Sequence, residues 1–408
     1  MTLGKLTGFK RFRFLPLFLV MSLLALAVDA APHKPMGDAE VLERLPLRAG
    51  DASVRELAAL RTAMTVAPTD PAPAAVLAER YFDLAMARGD PRYVGYAEAV
   101  VARFAEPLPA SLRLIRGLLR QYRHDFEGAL EDFAAALTLD PELAAAHAWR
   151  AAIYLVQADY AAAHKECDAL QGLGRRTLFG GCIGLAQAYS GQLEAGYRSL
   201  QQALATTGNA DNRLWLLTRL GEVSAWRGQS VQAERHYREA LSIGRDDGYL
   251  LAAWSDFLLD AGRPAEVLKQ LAGWDASDSL LLRLAEAEAA LKLPGAARLA
   301  QTLDDRFAAA RLRGDTTHRA EEARYRLRLR GDSAAALRLA AENYGVQREP
   351  RDARILLEAA IAAQDAAAAQ VVRDWLRASG FEDARLRRLG QESARARSAY
   401  LGSRFAGR

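Results

Sequence analysis

Between residues 109 and 243, apolar residues recur at spacings of three and four, in runs broken by short polar turns. In the segment 124–141, HDFEGALEDFAAALTLDP, the positions Phe126, Ala129, Leu130, Phe133, Ala136 and Leu137 fall on one stripe. That is the period of a helix with one buried face. Asp140-Pro141 predicts its end, because the residue before proline is pushed out of the helical region. Upstream, 111–123 (SLRLIRGLLRQYR) predicts a second helix, with His124-Asp125 as the turn between them. Glu127, Glu131 and Asp132 read as solvent-facing. Strand signals are scarce: no sustained alternation of Val, Ile and Thr occurs. The predicted unit is a helical hairpin of about 30 residues, and the predicted class is all-α.

The unit recurs. Gly117, Ala129, Phe133 and Ala136 have the same spacings as Gly221, Ala233, Tyr237 and Ala240. Ala151, Tyr154, Ala163 and Cys167 keep the register, as does 184–204, where Gly196 stands at the position of the alanine. The turn glycines Gly191, Gly228 and Gly262 follow at similar intervals. This pattern resembles the tetratricopeptide repeat, a 34-residue helical hairpin, although most units lack its closing proline. The resemblance is strong over 109–243, fair over 248–275 and 318–345, and weaker over 38–106, 278–312 and 351–378. It implies an α-solenoid, a right-handed superhelix of seven or eight hairpins with irregular N- and C-terminal capping helices. The expected organisation is 1–30 a signal peptide, 31–106 a cap with degenerate hairpins, 107–243 the best repeats, 244–345 degenerate repeats, and 346–408 a last repeat and cap.

The resemblance also implies a function, the binding of a protein or peptide in a concave groove lined by the first helix of each hairpin. In this register Leu114, Leu118, Tyr122, Tyr189, Trp215, Trp226 and Tyr249 are expected to project there. An aromatic wall suits an extended or helical peptide. Some members of the family hold a C-terminal carboxylate with lysines and asparagines, but this chain has only six lysines. Leu114 and Leu118 occupy that face of its best repeat. Close packing accounts for the small residues. Gly117, Gly184 and Gly221 let two helices of a hairpin approach, and Ala129, Ala163 and Ala233 fill crossings that a larger side chain would overpack. Phe133, Leu200 and Tyr237 are expected to plug the space between hairpins.

The chain's start changes where this array is expected to work. Four cations precede an apolar run, Phe14–Val28, that is short for a bilayer span of about 20 residues. Val28-Asp29-Ala30 offers a cleavage site, so export with cleavage after Ala30 is expected. The alternative is an uncleaved N-terminal anchor. Residues 1–30 carry four cations and one anion, so a net charge of +4 for the whole chain leaves about +1 after cleavage. The basic balance therefore does not point to nucleic acid. No later stretch is apolar enough to insert in a membrane. A periplasmic or otherwise exported protein meets an oxidising compartment, where Cys167 and Cys182 can persist as a disulfide. Buried free thiols are the other state the sequence leaves open.

Catalytic chemistry finds little support. Three Arg-Gly-Asp triplets, at 88–90, 313–315 and 330–332, fall at expected turns, where glycine ends one helix and aspartate starts the next. The six histidines form no HExxH or His-x-x-x-His pattern. His164 and Cys167 alone do not make a zinc site. His33 would be the third residue after cleavage, but Pro32 has no amide proton for an amino-terminal copper site to displace. No metal, cofactor or catalytic residue is therefore assigned. The pairs Glu131-Asp132, Asp246-Asp247 and Glu321-Glu322 leave a helical hydrolase acting on an envelope polymer as one alternative. A structural subunit of an envelope or secretion assembly is another. The leading expectation is a non-enzymatic periplasmic scaffold or adaptor; its oligomeric state is not specified by the sequence.

Overall fold

The computed structural model describes residues 52–390, together with Gly37. The chain divides into two units, Met1–Val54 and Arg55–Arg408, and the second holds the architecture described below. The expected signal segment, its cleavage site, His33 and residues 391–408 of the expected last repeat and cap lie outside the described residues.

Every regular element among the described residues is a helix. Helix α1 (Ala52–Val66) precedes nine hairpins. They are α2 (Pro71–Arg88) with α3 (Arg92–Val101), α4 (Ala110–Tyr122) with α5 (Phe126–Leu139), and α6 (Ala144–Val156) with α7 (Tyr160–Gly172). Next come α8 (Arg176–Tyr189) with α9 (Leu193–Thr206), α10 (Ala210–Trp226) with α11 (Ser230–Ser242), and α12 (Gly248–Asp260) with the short α13 (Pro264–Gln270). The last three are α14 (Asp278–Ala290) with α15 (Ala296–Leu312), α16 (Arg319–Arg328) with α17 (Ser333–Val346), and α18 (Pro350–Ala362) with α19 (Ala366–Ser379). Most helices pack on both their predecessor and their successor in the chain. The protein is thus an all-α solenoid of tetratricopeptide-like hairpins, with more hairpins than the seven or eight expected.

The turns use the chemistry read from the sequence. The Asp125 carboxylate accepts from the Gly128 amide at 3.1 Å and caps α5, while His124 takes a left-handed φ of 62°. Asp159, Asp247 and Asp332 cap α7, α12 and α17 in the same way. Such caps satisfy amides that a helix start leaves unpaired. All three Arg-Gly-Asp triplets lie at helix ends, with left-handed φ at Gly89, Gly314 and Gly331. They are architectural.

Packing follows the register. Ala129, Phe133 and Ala136 are fully buried, and so are Ala233 and Ala240. Phe133 lies over Gly117 of its own hairpin, and Tyr237 lies over Gly221 while also touching Trp254 and Phe257 of the next. The plug therefore fills first the gap left by the glycine of its own unit. At Gly196 the departure from alanine has a cause. A Cβ there would sit 2.8 Å from the Ala188 amide nitrogen, and closer still to the Gly184 carbonyl oxygen. Helices α8 and α9 cross backbone against backbone, with no room for a methyl group.

Asp132 departs from the expectation of a solvated carboxylate. It is 2% exposed and receives Arg116 at 2.6 and 2.8 Å, with Arg120 at 2.9 Å. A buried carboxylate needs such partners. A stripe of arginines on α4 supplies them.

Contacts between distant hairpins set the site. Gly248, at the start of α12, abuts the carbonyl of Met86 in α2. The imidazole of His124 meets the Gln347 amide at 3.0 Å, and the Arg348 amide donates to the Val156 carbonyl at 2.7 Å. The Trp375 indole donates to the Tyr160 hydroxyl at 3.0 Å, and Arg354 binds Asp260 at 2.7 and 2.8 Å. The helices α16–α19 share one buried core with α7, α8, α9 and α10. The array curls tightly enough that its last hairpins pack against its middle ones.

Candidate functional site

The seven residues expected on one groove wall fall into five environments. Leu114 and Leu118 are 9% and 4% exposed, in a core shared with Phe82 and Phe133. They pack between neighbouring helices and offer no surface to a partner, which corrects their assignment to the groove. The period identifies the buried stripe of α4 but not which half of it a neighbouring helix covers.

Tyr122, at the end of α4, is half-buried. Burial pushes its hydroxyl up to about 12, and nearby carboxylates of Asp315, Glu321 and Asp278 add to the effect. Those acids belong to α14, α16 and the turn before α16, so Tyr122 faces the chain's own later hairpins. Trp215 is also half-buried, and its ring lies directly over Gly181 of α8. It fills the gap between two first helices.

Tyr249 sits in a polar knot. Its hydroxyl donates to Glu222 at 2.6 Å and accepts from Arg219, whose guanidinium lies 4.2 Å from the centre of the tyrosine ring. Arg219 also binds Glu222 at 2.9 Å. Burial pushes the Tyr249 hydroxyl far above its ordinary range, against the opposing pull of Arg219. Its hydrogen-bonding capacity is consumed within the fold.

Tyr189 and Trp226 bound a narrow aromatic cleft in which Tyr189 is 4% exposed. They end α8 and α10, with ring centres 5.7 Å apart and edge to face. The cleft is filled. Phe381, just after α19, lies 5.3 Å from Trp226, 6.2 Å from Tyr189 and 5.3 Å from Trp375. The backbone follows closely: a Cβ on Gly380 would meet the Gly191 Cα at 3.4 Å. Beyond Phe381, a helical segment 384–390 places Arg385 on Asp260 at the end of α12. Tyr160 joins the cluster through its edge-to-face contact with Tyr189 at 6.5 Å. Phe381, Trp375 and Tyr160 were not among the expected site residues. The signal available in the sequence was a lone phenylalanine following Gly380 in an otherwise charged terminal stretch.

Cys167 and Cys182 lie in bonded geometry, their Cα atoms 5.5 Å apart, joining α7 to α8. That separation is within the range a disulfide spans. The intact protein is expected to show a mass two hydrogens below the reduced form and no free-thiol labelling. Labelling of both cysteines without a reductant would show that they remain thiols.

The carboxylate pairs give no acid-base site by geometry. Asp132 belongs to the arginine cluster on α4, Asp247 caps α12, and Glu322 is paired with Arg311 and Arg326. One member of each pair is thus consumed by structure. Among the described residues, no group of three or more His, Cys, Asp or Glu is placed to hold a metal, and no helix is long and apolar enough to cross a membrane.

No family model matches the chain, and no curated protein matches it. Solved structures do. One is Cut9 in the APC/C hetero-tetramer Cut9–Hcn1, at 16% identity over 75% of this chain and 52% of that one, with a TM-score of 0.39. A second is the human IFIT1 dimer with PPP-AAAA, at 12% identity over 80% of this chain and 68% of that one, with a TM-score of 0.40. A third is the TPR domain of P58(IPK), at 14% identity over 77% of this chain and 94% of that one, with a TM-score of 0.21. The chain spans about half the length of Cut9. The stacking of helical hairpins is displayed directly by the chain's own helices.

Proposed function

We propose that the protein is a non-enzymatic, exported scaffold or adaptor that binds a segment of a protein partner on the inner side of its hairpin array. The cleft between Tyr189 and Trp226 carries this reading. It holds an aromatic side chain from a short segment, a close backbone approach at Gly191, and a cation–carboxylate pair from Arg385 to Asp260. That is the chemistry of a groove that accepts a peptide by one buried aromatic anchor and flanking polar contacts. A partner segment of the same kind exchanges with residues 380–390. The near-neutral balance expected after cleavage argues against nucleic acid as partner. Export to the periplasm, with removal of residues 1–30, accords with the leader-like sequence and with the paired cysteines.

The test compares full-length protein with the Trp226→Ala variant, both purified from the envelope fraction. Trp226 is half-buried rather than core, so the variant should keep its helicity. It should recover its partner about tenfold less well, as truncation of an aromatic anchor does. Equal recovery of the same proteins by both forms removes the cleft from partner binding. Collapse of the helical signal would make Trp226 a structural residue instead.

A further inference from the structure

The seam between the third and ninth hairpins contains a cavity of about 620 Å³, formed by the turn before α7, the end of α17, and the faces of α18 and α19. Its walls are mainly apolar, with Leu356, Ala368, Val371 and Trp375 along one side. Val371 is 49% exposed.

Three residues with hydrogen-bond donors, Tyr344, Tyr160 and Arg348, line the other side. Tyr344 is 5% exposed, and its hydroxyl is buried without a hydrogen-bond partner. A buried hydroxyl left unpaired costs about 1–3 kcal/mol, so an acceptor brought beside it is favoured. The Tyr160 hydroxyl accepts from Trp375, which leaves its own proton to donate. Burial holds this hydroxyl up at about 12, and burial holds that of Tyr344 higher still, so both remain protonated at neutral pH. The third donor is Arg348. Its side chain is exposed, and no carboxylate pairs with it among the described residues. Its charge acts on both tyrosines. The one acid on the rim, Asp374, is occupied by Gln370 at 2.7 Å and Arg377 at 3.0 Å.

We propose that this cavity is a binding site for an amphipathic monocarboxylate, a molecule with an apolar body and one carboxylate head. The body lies against Val371, Trp375 and Leu356. The head accepts from Arg348, Tyr344 and Tyr160. An apolar pocket of a few hundred Å³ with a few convergent polar groups is the usual form of a small-molecule site. An unpaired guanidinium beside two hydroxyl donors selects an anion over a neutral head. The site adjoins the Tyr189–Trp226 cleft: Tyr160 and Trp375, which line it, also touch Tyr189 and Phe381.

Calorimetric titration of the full-length protein tests this with three probes: decanoate, decanol and acetate. Decanoate should bind saturably with one molecule per chain. Decanol, with the same body and no charge, should bind at least tenfold more weakly, and acetate not measurably. Arg348→Gln should weaken decanoate at least tenfold and leave decanol unchanged. Tyr344→Phe should weaken decanoate several-fold without lowering the melting temperature, since it removes an unpaired buried hydroxyl. Equal affinity for decanoate and decanol overturns the proposal, because binding would then be apolar adsorption. Unchanged decanoate affinity in folded Arg348→Gln overturns it as well, as does the absence of any decanoate binding.

Discussion

Replacing Glu286 by glutamine should destabilise the protein by about 3–5 kcal/mol, a loss larger than most single substitutions cause. Glu286 lies on α14, 8% exposed, and Arg324 grips it from α16 in a two-pronged pair at 2.6 and 2.7 Å. Arg324, also 8% exposed, reaches Asp256 on α12 at 2.6 Å, and Arg283 of α14 reaches the same acid at 2.6 Å. The network continues. Arg328 links Glu286 to Glu358 on α18 at 2.7 Å, Arg354 binds Glu358 at 2.8 Å, and Arg354 returns to Asp260 on α12. Asp256 and Asp260 are one helical turn apart, so these pairs form a closed ring through α12, α14, α16 and α18. Burial of each charge is unfavourable by itself; only its partners offset that cost. Removing the charge at Glu286 takes away the two-pronged partner of Arg324 and leaves Asp256, already shared with Arg283, as its remaining counter-charge.

Acid should reveal the same ring. Burial alone would push Glu358 up, but Arg328 and Arg354 outweigh it and hold the carboxyl at about 2, below its ordinary 4.5. Glu286 and Asp256 are held below their ordinary ranges by Arg324 with Arg328 and by Arg283 with Arg324, each against burial. A carboxylate whose folded value is depressed stabilises the fold above its unfolded value, and that stability is lost as pH falls through the folded one. Wild-type stability should therefore fall between about pH 4.5 and pH 2, and the Glu286→Gln variant should lose less over that window. Urea midpoints at neutral and acidic pH measure both effects. A neutral-pH midpoint within about 1 kcal/mol of wild type would show that water replaces the lost partner. The double replacement Glu286→Leu with Arg324→Met should cost less than the single one, since it leaves no buried charge between them.

The hairpins and their register were legible because each is specified locally. The stripe through Phe126, Phe133 and Leu137, the aspartate caps and the turn glycines all act within one unit. The tight curl of the array was not legible. It brings His124 to Gln347 and Tyr160 to Trp375, across more than 200 residues. That geometry sums small rotations from every hairpin, and no local pattern encodes the sum. The place of Phe381 is hidden for this reason, whereas Leu114 and Leu118 are buried by the neighbouring α2 and α5, because the period does not show which half of a stripe a neighbour covers. Asp132 shows a second limit. Periodicity sorts apolar from polar positions, but a buried carboxylate on an otherwise apolar face becomes intelligible only with Arg116 and Arg120 across the hairpin.

The Gly196→Ala substitution should be strongly destabilising, although alanine is what the repeat pattern places at this position. Three facts about the α8–α9 crossing fix the sign. The added methyl group would meet the Gly184 carbonyl oxygen and the Ala188 amide nitrogen, the latter at 2.8 Å, and the Ala188 Cβ at 3.0 Å. Two of these are backbone atoms and have no rotamer to escape into. The opposing glycine, Gly184, is itself hemmed in by Leu200, which is fully buried. Relief requires the two helices to separate, and that would open the core around Leu200 and Ala203. Overpacking of this kind costs about 3 kcal/mol, with rigid sites at the upper end of the range. The ordinary gain from replacing a helical glycine, about 0.5–1 kcal/mol through the unfolded chain, is too small to offset it. Gly95 supplies the contrast. It lies within α3, exposed, and nothing stands within 4 Å of where its Cβ would be. Gly95→Ala should therefore stabilise by about 0.5–1 kcal/mol. The two alanine variants should shift the urea midpoint in opposite directions. A Gly196→Ala protein as stable as wild type would mean that α8 and α9 do not cross backbone to backbone, and the closest packing in the array would have to lie elsewhere.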